Sequence, residues 1–423
     1  MTLPVAWLDW LVALASQKGM GLSLVGGAIR DLCLGQAAAS KDLDLVVEGP
    51  GPWPALALAE AIRAADLPAG LLLQELQKHG AYGTARLLLQ APQGELICDL
   101  TSARREHYPF PGAHPLVAAA SLREDLNRRD FTLNAMAWPL RQGLIWNPQA
   151  LLDPLGGRAD LAAAQLRLLH ARSLEDDPSR LLRAARYAAR LGLELAPESA
   201  TQADEALSHW PWPPGAPALG ARLRMELDLL FEEHCWRQAL GVLQDWGGLE
   251  LLQRGWRHLP VGSSHRLARL GRWGAALDPA WSAQELRLVG LLELLPGDLS
   301  VRLELAQRLQ LHHRQQRLLE QAGLLLQWLQ QGEARAHWRP SQWTEALEHP
   351  GSHGHPLAVL LLLLHPEAPG APWRRPLLHW LLRWRQLRSP LSAKQLLAEG
   401  LPPGPALGQR LWQERAAALD RGA

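Results

Sequence analysis

The sequence predicts an α+β protein: a small mixed-sheet unit at the N-terminal end, followed by an elongated all-helical extension. Three observations carry that reading. Strand-like segments between residues 22 and 100 are interleaved with helical ones. Asp42–Val47 alternates polar and apolar residues with period two, the signature of a half-buried strand. From residue 121 onward strand signals nearly vanish, and helical patterns separated by proline- and glycine-rich breaks take over.

Taken in order, residues 5–18 form an amphipathic first helix. Leu22–Val25 is a short apolar strand that ends at Gly26-Gly27, and residues 28–34 return to helix before a loop of small residues. The strand from Asp42 follows, then a helix over 54–66, strands over 71–78 and 84–90, and a strand over Glu95–Leu100. A sheet of four or five strands results. The segment 105–120 carries Pro109, Pro111, Gly112 and Pro115 and is expected to be a mobile loop. A helix-like stretch runs from Arg128 to Ala137, Leu144–Trp146 suits a last short strand, and Asp153-Pro154 with Gly156-Gly157 marks a turn. Helices are then expected over 160–165, 178–190, 197–208, 217–230, 232–240, 264–271, 282–293, 300–309, 311–331, 340–347, 356–364, 374–386, 391–398 and 404–419. Breaks fall near 211–218, 295–298, 349–356 and 366–372.

With 423 residues the chain is too long for one ordinary core and suits two to four packed units. Apolar residues make up 48%, enough for a sizeable core, and nothing suggests wholesale disorder. The formal charge is +1, so any positive surface for a polyanion must be local. Cys33, Cys98 and Cys235 are widely spaced and make neither a disulfide framework nor a zinc cluster, which fits a reducing cytoplasm. The N-terminal segment carries Asp9 and no basic region, unlike a signal peptide. The apolar run Leu357–Leu364 is far shorter than the roughly 20 residues of a membrane span, so it reads as a buried helix. The 19 tryptophans, among them Trp236, Trp256, Trp328 and Trp384, are assigned to packing.

The most informative stretch is residues 23–47. Asp42 and Asp44 stand two apart on a strand, so both carboxylates share a face. Their mutual repulsion is relieved by a divalent cation, and hard oxygen donors suit Mg²⁺ held together with substrate phosphates. Two such ions about 3.5–4 Å apart would activate a 3′ hydroxyl and steady a leaving pyrophosphate. Gly26 and Gly27 follow a strand and open a helix, where bare backbone approaches a triphosphate closely and N–H groups face the anion. Arg30, one turn into that helix, is placed to clamp a phosphate oxygen. Asp99, in LICDL, is a candidate third carboxylate that positions metal or deprotonates the attacking hydroxyl; the alternative is a strand-end aspartate capping the turn Thr101–Arg105.

These motifs together resemble the class II CCA-adding enzymes and bacterial poly(A) polymerases, which share a polymerase-beta-type nucleotidyltransferase head. GGAIRDLCLG and KDLDLVV are similar to the family's glycine turn and paired metal-binding aspartates. ICDLTSARRE resembles the strand and turn leading to its flexible loop, EDLNRRDFTLNAMAW its second motif, and LLDPLGGRADLAAAQLRLL its linker between head and neck. SLEDDPSRLLRAARYAARLGLEL resembles the base-selecting neck motif, ARLRMELDLLF a later neck helix, and GLPPGPALGQRL a tail segment. The resemblance implies that Asp42 and Asp44 bind the catalytic metals and that Gly26, Gly27 and Arg30 lie by the triphosphate. It places Arg129 and Asp130 on the ribose and phosphates, and Asp177 with Arg180 as an amino-acid template for the incoming base. Asp176 stands where such motifs often have Glu, which leaves the template pair intact. It also implies a division into a nucleotidyltransferase head over 1–138, linker and neck over 139–235, a body over 236–298 and an RNA-binding tail over 299–423.

The residues themselves agree with a template role. Asp176 or Asp177 before Pro178 makes a good helix N-cap followed by a first-turn proline. Arg180, Arg183, Arg186 and Arg190 then share one helix face, where like charges require an anion or neighbouring carboxylates such as Glu175 or Glu194. A guanidinium donates to the acceptors of cytosine while a carboxylate accepts from its amino group. Uracil and guanine place a carbonyl where that amine lies.

The expected reaction is addition of C and/or A to the 3′ end of tRNA from CTP and ATP, with divalent metal and no membrane partner. The segment REHYPFPGAHPLV, residues 105–117, resembles the loop of some enzymes that add only part of the CCA end, so full CCA, A-only and CC-only products all remain open. Poly(A) tailing and a non-catalytic RNA-binding role are the alternatives. A metal phosphohydrolase is disfavoured, because the helical part holds no HxxH or adjacent His-Asp pair clustered with carboxylates.

Overall fold

The structure is a computed structural model. It describes residues 4–35, 42–92, 94–209, 217–331, 335, 337–349, 352, 354–366 and 368–422. The expected small-residue loop after residue 35 and most of the break near 211–218 lie outside these, as do parts of the breaks near 349–356 and 366–372. The chain forms two compact units, residues 1–219 with 241–251, and residues 220–240 with 252–423.

The first unit opens with α1 (Val5–Gln17), β1 (Gly21–Val25), α2 (Gly27–Cys33), β2 (Asp42–Glu48) and α3 (Pro54–Ala64). β3 (Leu72–His79), β4 (Thr84–Ala91), β5 (Gly94–Ser102), a hairpin of β6 (Arg104–His107) and β7 (Leu116–Ala119), α4 (Leu122–Asn127) and β8 (Ala137–Pro139) follow. The main sheet has six strands in the order β3-β4-β5-β2-β1-β8, one more than the upper expectation. Only β2 and β5 run parallel; every other neighbouring pair is antiparallel, so the sheet is mixed. Alternation decides which way β2 faces. Leu43 and Leu45 are fully buried, whereas Asp42 and Asp44 at the intervening positions face the other way. α1 packs on β1 and on α3, and α3 packs on β2, β4 and β5. Leu8, Leu11, Leu58 and Ile62 supply the helix side of this core, each full burial contributing roughly 1.5–3 kcal/mol. The Oγ of buried Ser102 accepts the Ala55 N–H at 3.0 Å and ties the start of α3 to the end of β5.

Three expectations for this unit need correction. The segment expected as a loop over 105–120 is a hairpin, with the prolines and Gly112 confined to its turn. The stretch 128–137 is not a helix: α4 ends at Asn127, a single 3₁₀ turn spans Thr132–Asn134, and Ala137 already belongs to β8. Ser121 and Glu124 close a reciprocal cap that fixes the start of α4. No strand forms at Leu144–Trp146; β8 is the last strand of the sheet.

Helices then dominate as expected: α5 (Gly157–Ala162), α6 (Ser173–Asp176), α7 (Ser179–Leu191) and α8 (Pro197–His209). A two-residue parallel pair, β9 (Gln165–Leu166) with β10 (Glu194–Leu195), also forms there, too short to register in the sequence. α9 (Pro217–Glu232) and α10 (Trp236–Asp245) come next.

The second unit holds α11 (Ser263–Leu277), α12 (Ala283–Glu293), α13 (Leu299–Arg308), α14 (His313–Gln330), α15 (Pro340–Glu348), α16 (Pro356–Leu363), α17 (Arg374–Leu382), α18 (Ala393–Ala398) and α19 (Pro405–Arg421). α16 is the expected buried helix, with Leu357–Leu362 enclosed by α11, α14 and α17. Trp236 and Trp256 are buried, and Trp328 and Trp384 half-buried. Among the described residues no helix is long and apolar enough to cross a membrane.

Candidate active site

Strand register brings the acidic residues together. Val25 pairs with Asp44 across β1 and β2, and Asp44 pairs with Asp99 across β2 and β5. The chain then turns at Gly26, with φ 70° and ψ −141°, a conformation strained for any residue with a Cβ. A Cβ built there would lie 2.6 Å from Asp44 Oδ2, so the turn closes directly on this carboxylate. Gly27 starts α2. The glycine bend and the strand carboxylate thus form one place.

Burial pushes the Asp44 carboxyl above the usual carboxylate range, and Asp99 and Asp42 add to the rise, while Arg129 opposes it. A half-buried carboxylate crowded by two others is poorly stabilised alone and suits a hard divalent cation. Among the described residues no three His, Cys, Asp or Glu side chains converge as a complete ligand set. Oxygen donors that leave coordination positions for phosphate fit Mg²⁺, which keeps waters and substrate oxygens in its shell.

A cleft of about 290 Å³ opens beside Asp44, lined by Gly26, Gly27, Arg129, Asp130, Asp177, Arg180 and Arg183, with Glu106, Tyr108, Arg128, Asn134 and Tyr187. Three of its four arginines are held in place by buried acids. Asp125, fully buried at the end of α4, binds Arg128 at 2.7 Å and Arg129 at 2.9 Å. Burial alone would raise the Asp125 carboxyl, but Arg129 and Arg128 outweigh it and hold it below the ordinary range. The Nε of Arg129 is buried with no hydrogen-bond partner among the described residues. Asp130 accepts from the Phe131 N–H and from Asn134 Nδ2, both at 2.9 Å, and pairs with Arg183 at 2.8 Å. Burial again opposes its charge, and Arg183 and Asn134 outweigh it.

On the α7 side, Asp177 accepts from the Ser179 N–H at 3.1 Å and the Ser179 hydroxyl at 2.6 Å. It anchors the start of α7, although Pro178 and not Asp177 is the residue that precedes the first helical position, a shift by one from expectation. Arg180 is buried and donates to the carbonyls of Ser173 (3.3 Å) and Arg128 (3.4 Å). Of the expected arginine ladder, Arg183 meets a carboxylate from the head motif and not Glu175 or Glu194. Arg186 and Arg190 lie against the Tyr187 ring.

Not every expected residue reaches this cleft. Arg30 pairs with Asp31 at 2.8 Å and sits over Tyr187, so it backs the cleft and does not line it. Asp99 does not cap the turn that follows it; both its oxygens are bound by Arg86, at 2.8 and 2.7 Å. Asp42 lies on the Asp44 face of β2, outside the cleft wall. Sequence reasoning missed Asp125, Arg86, Glu106 and Tyr187. Asp125 had a readable signal, since it stands three and four residues before Arg128 and Arg129.

A glycine turn closed on a strand carboxylate, in a mixed sheet continued by helices, fits the nucleotidyltransferase-type head that the sequence motifs resemble. Residues 22–167 match the family described as the poly A polymerase head domain. The chain is 43% identical over 245 residues to a CC-adding tRNA nucleotidyltransferase of Deinococcus radiodurans, covering 57% of this chain and 59% of that protein. It is 40% identical over 179 residues to an A-adding tRNA nucleotidyltransferase of Aquifex aeolicus, covering 41% of this chain and 19% of that protein. The chain thus spans less than two thirds of the length of either relative. A solved CCA-adding enzyme in an apo form shares the fold with a TM-score of 0.68 at 24% identity, covering 99% of this chain and 93% of that one. Through residues 22–167 the chain is thus similar to the poly A polymerase head domain, and these relatives are tRNA nucleotidyltransferases.

Proposed function

We propose that this chain adds C and/or A nucleotides to the 3′ end of tRNA without a nucleic-acid template, using CTP or ATP and divalent metal. The observation that carries the reading is the single cleft that unites Gly26, Gly27 and Asp44 with Arg129, Asp130, Asp177 and Arg180. In the reaction the RNA 3′ oxygen forms a bond to the α-phosphorus, the bond to the bridging oxygen breaks, and pyrophosphate leaves with the electron pair. The hydroxyl proton passes to solvent or to a nearby carboxylate. Divalent ions at Asp42 and Asp44 would supply charge stabilisation for the attacking and leaving oxygens.

The chain's own residues do the rest. The Gly26 and Gly27 backbone and Arg129 receive the triphosphate, and Asp130, fixed by Arg183 and Asn134, faces the ribose. Asp177 and Arg180 read the base edge. Their bonds to Ser179 and to two carbonyls fix both groups before a nucleotide enters, which is what selection by a protein template requires. A guanidinium has five N–H donors, so two bonds to carbonyls leave others for a base. Within this reading residues 1–138 are the catalytic head, 139–235 the linker and neck, 236–298 the body and 299–423 the RNA-holding tail.

Of the two relatives described above, the longer alignment is with the CC-adding protein, which favours CC addition as the specific product. The test is product length and composition on a tRNA lacking its CCA end, with CTP alone, ATP alone and both. CC addition stops after two cytidines, full CCA synthesis gives three residues, and A-only addition needs an acceptor already ending in CC. A long A tail would replace this reading with poly(A) polymerase activity, and no incorporation under any mixture would remove it.

A further inference from the structure

Asp44 borders two clefts. One is the nucleotide cleft described above. The other, about 370 Å³, lies along β3, β4 and β5, where Asp44 and Asp99 form one wall with Arg86, His79 and Thr101 around them. Nothing in the proposed nucleotide contacts uses this second space. In-line displacement requires the attacking oxygen on the side opposite the leaving pyrophosphate. Two substrates must therefore reach Asp44 from different directions, and the two clefts supply those directions.

Among the described residues, Arg86 is the only arginine bordering the second cleft, and its present partner is informative. It stands opposite Asp99 in the β4–β5 register. Its Nε donates to Asp99 Oδ1 at 2.8 Å and its Nη2 to Oδ2 at 2.7 Å, a bidentate fork that engages both carboxylate oxygens. The Arg86 side chain is 55% exposed and that of Asp99 29%, so solvent and solutes reach the pair. An exposed ion pair is worth at most about 1 kcal/mol and exchanges easily. A phosphodiester accepts the same planar fork as a carboxylate.

We infer that the second cleft seats the 3′-terminal nucleotide of the RNA acceptor, and that Arg86 transfers its fork from Asp99 to a phosphate of that strand. The transfer frees the Asp99 oxygens, beside Asp44, for the divalent ion. Arg86 is thus a positioning residue: it neutralises Asp99 while no RNA is bound and releases it when the acceptor arrives. Acceptor binding and metal binding then help each other, and such coupling is reciprocal. This inference rests on the proposed nucleotidyl transfer.

The test uses the full chain and Mn²⁺ binding read by electron paramagnetic resonance, without nucleotide. The acceptor is a tRNA lacking its CCA end and carrying a 3′-deoxy terminus. For the wild-type chain, adding this tRNA should tighten Mn²⁺ binding about tenfold, a typical size for coupling between sites. Metal held by the RNA itself is common to all proteins compared and cancels. Arg86→Gln should bind Mn²⁺ more tightly than wild type in the absence of RNA, gain nothing further when tRNA is added, and bind tRNA more weakly in EDTA. Arg86→Lys, which keeps the charge without the fork, should fall between the two and guards against a fold defect in the first variant. Equal RNA–metal coupling in all three proteins would overturn the exchange. Wild-type extension of an unmodified tRNA is scored in parallel: its absence defeats the reaction, whereas extension with unchanged coupling defeats only the role of Arg86.

Discussion

Gly26→Ala probes the junction on which the candidate site depends. The substitution acts in two ways. Gly26 holds φ 70° and ψ −141°, and an alanine kept there costs about 1–3 kcal/mol of backbone strain. A cost of that size lowers the thermal midpoint of a unit this long by about 2–4 °C for each kcal/mol. The second effect is local. The new methyl would begin 2.6 Å from Asp44 Oδ2, against 3.4 Å or more for ordinary contact, so the carboxylate must retreat by roughly 0.8 Å. Displacements near 1 Å at a reacting centre cost about 10²-fold in rate. Gly27→Ala is the matched control. Its methyl would meet only the flexible end of Arg30, at 3.3 Å, and its backbone is already helical. The assay is single-turnover nucleotide addition to tRNA, with Mn²⁺ affinity and thermal midpoint measured on the same samples. We expect Gly26→Ala to lose about 10²-fold in rate and to bind Mn²⁺ more weakly, while Gly27→Ala, which borders the triphosphate but not Asp44, keeps wild-type Mn²⁺ affinity in the absence of nucleotide. Equal losses of Mn²⁺ affinity in the two variants, or wild-type Mn²⁺ affinity in Gly26→Ala, would refute the claim that this turn is built around Asp44.

Asp44→Asn should raise the thermal midpoint of the metal-free chain at pH 7, because burial, Asp99 and Asp42 all disfavour the charged form, and should abolish the stabilisation that Mn²⁺ gives; an unchanged metal response would contradict the ligand assignment. Asp125→Asn should lower stability by about 3–5 kcal/mol at neutral pH, since Arg128 and Arg129 lose their shared buried carboxylate. Because Arg129 and Arg128 hold the Asp125 carboxyl below its unfolded value, its stabilisation is complete above that value, about pH 3.9, and is lost as pH falls further through the folded value. Urea titrations below pH 4 should therefore show a shallower pH dependence in Asp125→Asn than in wild type, and parallel curves would remove the role given to this pair. Asp177→Ala should relax discrimination against UTP by roughly 5- to 150-fold, the equivalent of about 1–3 kcal/mol for facing acceptors, with tRNA affinity retained; undiminished selectivity in competition between CTP and UTP would defeat the template assignment.

Local periodicity made part of this site readable and hid the rest. Asp42 and Asp44 were legible because a two-residue period puts alternate side chains on one face whatever the strand pairs with, and Leu43 and Leu45 took the core face as expected. The hairpin of β6 and β7 was not legible, because Arg104–His107 has no apolar alternation. Its inward residue is Glu106, held by Arg104 at 2.9 Å and Arg128 at 2.8 Å, so ion pairing replaces the hydrophobic signal. The sixth strand, Ala137–Pro139, is three residues long and is specified by its pairing with β1, more than a hundred positions earlier. The bond from Arg183 to Asp130 spans 53 positions and crosses from α7 to the head motif, which no spacing rule reports.

The arginine ladder of α7 shows what those hidden contacts mean. Four like charges on one helix face had to find anions, and the structure supplies a carboxylate to Arg183 from Asp130. Arg180, one turn earlier and more deeply buried, is met by two carbonyl oxygens at 3.3 and 3.4 Å, and no ion pair to it occurs among the described residues. Carbonyl dipoles satisfy donors but do not neutralise a guanidinium, and the carboxylate whose charge reaches Arg180, Asp130, is already paired with Arg183. Arg129, paired with Asp125 but with a buried Nε that has no hydrogen-bond partner among the described residues, stands in the same cleft. Within the proposed reaction, their placement side by side, next to the crowded Asp44 carboxylate, suits a site that a polyphosphate and a divalent cation balance together. Each of the two ligands then removes the electrostatic penalty that the other would have met.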